Sequence, residues 1–121
     1  MRTYSVGIAA LALHAPSKWV DNLISQHNIS DVERDDRGYS RRISHEALLR
    51  MAVIRALNEE LGVSVARALE LSSPLLEHGT ARVGPLEIAL DLQQIRRRVA
   101  ERLEVALESA PQPRRGRPRG S

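Results

Sequence analysis

The strongest constraint on this chain is the stretch from Arg37 to Gly62, RGYSRRISHEALLRMAVIRALNEELG. It opens on a basic, turn-like lead-in (Arg37, Gly38, Arg41, Arg42) and then offers Ser44 as a helix N-cap. A serine hydroxyl in that place accepts a hydrogen bond from an N–H of the first turn that has no partner within the helix. Ala47, Leu48, Met51, Ile54, Leu57 and Leu61 follow at the i, i+3, i+4, i+7 spacing of one helix face. Gly62 stands where the chain needs a left-handed residue to stop. The pattern predicts a long helix bounded at both ends, with the flanking segments packed on it.

Those segments are themselves mostly helical in pattern. Tyr4 suits a short lead strand, and Ser5 caps a first helix, Val6 to Leu13, rich in small apolar residues. His14-Ala15 makes a break. Pro16 suits the first turn of a second helix running to about Gln26, where its missing N–H costs nothing. Trp19, Val20, Leu23 and Ile24 form the apolar side of that helix, opposite Ser17, Lys18, Asp21, Asn22 and Ser25. Two short helices joined by a few residues, the second with a polar outer face, is the helix-turn-helix pattern. In the following NISDVERDDRGYSRRIS, Ile29 and Val32 begin one strand and Tyr39 to Ile43 return as its partner, with Asp35-Asp36-Arg37-Gly38 as the turn. This predicts a β-hairpin wing.

Beyond Gly62, Ser64 caps a shorter helix, Val65 to about Leu71, which Ser72-Ser73-Pro74 is expected to interrupt. A single turn through Leu75, Leu76 and Glu77 then leads to His78-Gly79. Gly84-Pro85 breaks the chain again. Leu86, Ile88, Leu90 and Leu92 alternate with Glu87, Ala89 and Asp91 at the period of a strand, the alternative being that the last helix begins at Pro85. From Asp91, an N-cap, a helix runs to about Ser109 with Leu92, Ile95, Val99, Leu103, Ala106 and Leu107 along one stripe. That helix either folds back on its own domain or pairs with its twin. The stripe spans under three heptads, short for an isolated coiled coil. The reading adopted is a homodimer through Leu92, Ile95, Val99 and Leu103 together with the 86–90 strand.

Composition decides what kind of core these pieces build. With no Phe, one Trp and two Tyr, it must be aliphatic, which suits a small, mainly α domain. The absence of cysteine excludes a disulfide framework and any Cys-ligated metal. His14, His27, His45 and His78 are scattered without ligand spacing. No phosphate loop, nucleophile elbow or matched carboxylate pair occurs, so the chain reads as a non-enzyme without cofactor. No apolar run is long enough to span a membrane, and a cytoplasmic, soluble protein is expected. Of 18 basic and 15 acidic residues, four arginines and no acid fall in 111–121, leaving 14 basic against 15 acidic in 1–110. The pI of about 10.2 therefore belongs to the tail.

Residues 3–72 resemble the DNA-binding domain of the MerR family, including its small BldC-like members. The matching residues are the opening TYSVGIAALA, the helix-two start APSKW, and RRIS followed by a helix and GVSVARALEL. The resemblance implies a winged helix-turn-helix in which Arg41-Arg42-Ile43-Ser44 closes the wing and Gly62-Val63-Ser64 turns into the next helix. The chain departs from the family pattern at three places. Ile43 replaces an aromatic, His14 a frequent glycine, and Val20-Asp21-Asn22 an Arg-aromatic-aromatic run. The tail segment PRRGRPRG, Pro113 to Gly120, is similar to an AT-hook. Glycine lets the backbone lie deep in a narrow minor groove, proline keeps it extended, and arginines point along the floor. A merely solubilising basic tail is the plainer alternative.

The organisation that follows is 1–78 as a MerR-like winged helix-turn-helix with a small β-hairpin wing, 79–110 as a strand and C-terminal helix, and 111–121 as a disordered AT-hook-like tail. Ser17, Lys18 and Asn22 are the candidates for the major groove, where asparagine can pair two-pronged with adenine and lysine can meet guanine or phosphate. Arg34, Arg37, Arg41 and Arg42 are phosphate candidates in the wing. Asp31, Glu33, Asp35 and Asp36 share that span, and Arg41 and Arg42 are taken to be the arginines free of a neighbouring acid. Arg114, Arg115, Gly116, Arg117, Pro118 and Arg119 are the minor-groove candidates. Trp19 reads as a core anchor before a base-stacking platform. The expected partner is double-stranded DNA, with AT-rich tracts suited to the tail, and the expected role is transcription regulation or a nucleoid- or mobile-element-associated function. RALNEELGVSVARALEL also resembles the small MerR-like chaperone modulators, which bind a J-domain co-chaperone instead of DNA.

Overall fold

The computed structural model of the chain describes residues 2–27, 29, 32–34 and 41–109. In order the elements are β1 (Thr3–Tyr4), α1 (Val6–Leu13), α2 (Ser17–Gln26), β2 (Val32–Arg34), β3 (Arg41–Ser44), α3 (His45–Leu61), α4 (Val65–His78), β4 (Thr80–Val83), β5 (Leu86–Ala89) and α5 (Leu92–Ser109). The fold is mainly α, with two small antiparallel sheets that do not close on themselves.

The helix ends follow from the residues that terminate them. The Oγ atoms of Ser5, Ser44 and Ser64 accept from Ile8 N, Ala47 N and Arg67 N at 3.1–3.2 Å, and Asp91 Oδ1 accepts from Gln94 N at 3.0 Å. Each satisfies an N–H that the first turn leaves orphaned. Gly62 (φ 69°) and Gly79 (φ 76°) close α3 and α4 in the left-handed region. Pro16 sits at the N-cap of α2, one place before the first turn, with extended φ −66°, ψ 147°.

The core centres on α3. Ile43, Leu48, Met51, Val53 and Ile54 are fully buried, each such side chain worth roughly 1.5–3 kcal/mol of transfer free energy. The single apolar face read from the sequence is too narrow for this helix. Leu49, Ala52 and Val53 are buried as well, because α1, α4, α5 and β3 all contact α3. Leu61, counted on that face, is the last residue of the helix and is 63% exposed. One cluster of buried residues runs from Tyr4 to Leu103, so residues 79–109 share it with the N-terminal elements.

One expectation is corrected here and another extended. The helix starting at Val65 does not break at Ser72-Ser73-Pro74; α4 continues to His78 with Pro74 inside. Proline forfeits one backbone hydrogen bond, but buried Leu71, Ser72 and Leu75 hold the turn against the core. The Nη1 of Arg50 also fastens it, donating to Ser72 Oγ at 2.8 Å and Ser73 Oγ at 2.9 Å. Secondly, the strand at 86–89 is present, but it has an unforeseen partner. Thr80–Val83 pairs with it in register Thr80↔Ala89 through Val83↔Leu86, around Gly84 with φ 57°. Glycine at the first of two turn residues is a hairpin signal. The first hairpin also gains a strand, since β1 joins β3 on the side away from β2, with Thr3↔Ser44 and Tyr4↔Ile43.

Candidate nucleic-acid interface

The α1–α2 pair is held by its apolar sides. Ala9, Ala10, Ala12 and Leu13 of α1 and Val20 and Leu23 of α2 are buried, while Trp19 and Ile24 are half-buried. Between the helices His14 takes φ 53°, the one positive-φ non-glycine residue described. Its N–H caps Ala10 and Leu11 carbonyls. Arg55 of α3 secures this turn from below: Nη2 donates to the His14 carbonyl at 3.2 Å, and the guanidinium lies 5.0 Å from the Trp19 ring centroid. Glu59, 3.6 Å away, balances its charge. Trp19 is thus a half-buried anchor under a cation, and nothing in the sequence pattern pointed to Arg55 as its partner.

Burial of Val20 and Leu23 turns the other side of α2 outward. Ser17, Lys18, Asp21, Asn22, Ser25 and Gln26 are all exposed, so the three side chains expected at a groove share a solvent face. β3 lies beside this face. Its register with β2 is Val32↔Ile43, Glu33↔Arg42 and Arg34↔Arg41, which alternates Arg41 and Arg42 to opposite sides of the sheet.

Arg41 points to α2 and does not stand clear of acids as expected. Its Nη1 lies 3.4 Å from Asp21 Oδ1 and 3.2 Å from the Asp21 carbonyl, and Nη2 is 3.2 Å from Ser25 Oγ. Asp21 is distant in sequence, and the sheet's position over α2 makes it the neighbour. Arg42 is exposed, with Nε donating to Thr3 Oγ1 at 3.1 Å. Among the described residues, Lys18 and Arg42 form no ion pair. Only the backbone of Arg34 is described; Arg37 and the tail residues Arg114, Arg115, Gly116, Arg117, Pro118 and Arg119 lie outside the described residues.

The four residues assigned to a dimer seam are placed elsewhere. Ile95, Val99 and Leu103 are buried, Leu92 is half-buried, and α5 packs along α1 and α3 of its own chain. The small side chains of α1 allow that close approach. The stripe closes this chain's own core and does not present itself to a second copy. On the flank of α5, Arg98 and Arg102 line a cleft with His14, Arg55, Glu59 and Glu60. Desolvation, then the neighbouring Arg98 charge, lower the Arg102 pKa from its ordinary value.

Among the described residues, no three His, Asp or Glu side chains gather where they could hold a metal ion. No described helix is long and apolar enough to cross a membrane. No family model, curated protein or solved structure matches this chain.

Proposed function

We propose that this chain binds double-stranded DNA through a MerR-like winged helix-turn-helix, acting as a small transcriptional regulator or a nucleoid- or mobile-element-associated factor. The observation that carries the reading is the outward polar face of α2, with Ser17, Lys18 and Asn22 on it and strand β3 fastened alongside by Arg41. A short helix with such a face, seated on a partner helix through a tight turn and flanked by a hairpin, has the parts that enter a major groove and brace on the adjacent backbone. Lys18, Asn22 and Ser17 would meet base edges or phosphate there. Arg42 would meet phosphate, while Arg41 acts chiefly by holding the hairpin against α2. The Arg114–Arg119 segment would add minor-groove affinity with strong salt dependence.

A second reading has one specific observation in its favour. Asp21 sits in the middle of the α2 face and neutralises Arg41, which breaks a run of positive charge. A protein partner, such as the J-domain co-chaperone bound by the chaperone modulators this chain resembles, would tolerate that face better than a phosphate backbone would.

Fluorescence anisotropy on AT-rich and GC-rich duplexes over a salt series separates the two. The full chain is compared with Lys18→Gln, and with a variant carrying glutamine at Arg114, Arg115, Arg117 and Arg119. If those four arginines meet phosphates, replacing them flattens the log–log salt slope by up to about 3.6. Lys18→Gln then weakens the binding that remains. Absence of binding by the unaltered chain refutes the DNA reading and leaves the protein-partner one.

A further inference from the structure

Strand β5 has one side unaccounted for. The β4–β5 sheet contains two strands only, so the far edge of β5 carries no strand among the described residues. A two-stranded ribbon is marginal by itself, and an open edge is a template for another strand. Leu86 on this strand is 63% exposed, among the most exposed of the large apolar side chains.

The phase of the free edge can be read from the hydrogen bonds. Leu90 N donates to the Gly79 carbonyl at 2.8 Å, continuing the register in which Ala89 faces Thr80 and Ile88 faces Ala81. Because backbone groups alternate sides along an antiparallel strand, Leu90, Ile88 and Leu86 direct theirs to β4. Glu87 and Ala89, both exposed, direct theirs outward. The side chains alternate too. Leu86, Ile88 and Leu90 share a face with buried Ala81 and half-buried Val83, and Glu87 and Ala89 share the other with Thr80 and Arg82.

We propose that β5 pairs antiparallel with β5 of a second copy of this chain, about a twofold axis through Ile88, forming a continuous β4-β5-β5-β4 sheet. In this register Glu87 faces the partner's Ala89 as a hydrogen-bonded pair, and Ala89 faces the partner's Glu87. Each pair exchanges both N–H···O bonds from groups that have no partner among the described residues. Ile88 meets its own copy in the non-hydrogen-bonded position, and Leu86 lies opposite the partner's Leu90, covering the exposed leucine. The occupant is a second copy because the strand is complementary to itself in one register. A slip of one residue turns the apolar side chains to the polar face. A slip of two sets Glu87 against the partner's Glu87 or against its Asp91, where like charges oppose pairing. This interface uses none of the α5 stripe, which stays in its own core, and it does not rest on the nucleic-acid reading.

Sedimentation velocity of the full chain over a concentration series tests it. A dimer in exchange with monomer is expected. Ala89→Pro removes an outward N–H while leaving the β4 bonds, and Leu86→Lys puts a charge at an exposed position that folding tolerates. Each should raise the dissociation constant about tenfold or more, since two symmetry-related contacts are lost at once. The chain has no cysteine, so single-cysteine variants report the register. Cα atoms in a non-hydrogen-bonded pair lie about 4.5 Å apart, within disulfide range. Ile88→Cys should therefore oxidise to a covalent dimer, while Glu87→Cys should not. If Ala89→Pro unfolds the chain by circular dichroism, Leu86→Lys and the cysteine pair decide. A chain that is monomeric at every concentration overturns the proposal. So does a dimer that cross-links through Val105→Cys on the exposed α1–α5 flank and not through Ile88→Cys.

Discussion

The two hairpins have nearly the same length and opposite surroundings. In β2–β3 the second strand is enclosed: β1 and β2 flank β3 on either side, Ile43 is fully buried, and Arg41 ties the strand to α2. β4–β5 rests on the core by one face only, leaves β5 with no outer strand among the described residues and shows Leu86 to solvent. The first hairpin is part of the scaffold that positions α2. The second is stable through its neighbours and has pairing capacity left over. The difference teaches that a strand's role here is set by how many of its sides are already occupied.

The largest expected effect tests that contrast directly. Ile43→Ala should destabilise the fold by about 2–5 kcal/mol in urea denaturation, the cost of a fully buried isoleucine. Leu86→Ala should change the monomer by no more than about 0.5 kcal/mol, the range of surface positions. Comparable losses at the two sites would break the comparison. Next come the turns. Gly84 has φ 57° with open space around its α-carbon, so Gly84→Ala should cost about 1–2 kcal/mol through backbone strain alone. His14 already carries a comparable strain at φ 53°. His14→Gly should recover part of it, raising stability by up to about 1 kcal/mol and the melting temperature with it.

Smaller still is the cap at the start of α3. Ser44→Ala should cost about 1 kcal/mol, because Ala47 N–H loses its acceptor. The smallest effect falls on the α2 face. The Arg41–Asp21 pair is partly exposed, 20% and 53% for the two side chains, so Arg41→Gln should alter stability by no more than about 1 kcal/mol. In duplex binding, Arg42→Gln should reduce the salt slope more than Arg41→Gln does, the latter already having a carboxylate partner. The reverse order would show that Arg41 leaves Asp21 to meet phosphate.

Much of the candidate site is legible in the sequence. The bounds of α1, α2 and α3 follow from Ser5, Pro16, Ser44 and Gly62, and the outward set Ser17, Lys18 and Asn22 follows from helix periodicity. Two local signals carry more than their first meaning. Pro74 reads as a stop, although a proline costs one hydrogen bond and burial of its neighbours can offset that. Gly84-Pro85 reads as a break and is a turn, but a two-residue turn beginning with glycine also closes a hairpin, and that points to the strand Thr80–Val83 before it.

Other features were not in the local sequence at all. Arg41 meets Asp21, Arg55 meets Trp19, and Arg50 meets Ser72 and Ser73, each across at least twenty residues of chain. By itself, the sequence determined where helices start and stop and which side of each is apolar, because caps, left-handed glycines and periodicity act within a few residues. Which surface covers an apolar stripe was decided only by the tertiary structure. The stripe of α5 reads the same whether α1 or a second copy lies against it, and the small side chains of α1, brought alongside by the fold, are what gave it to the chain's own core.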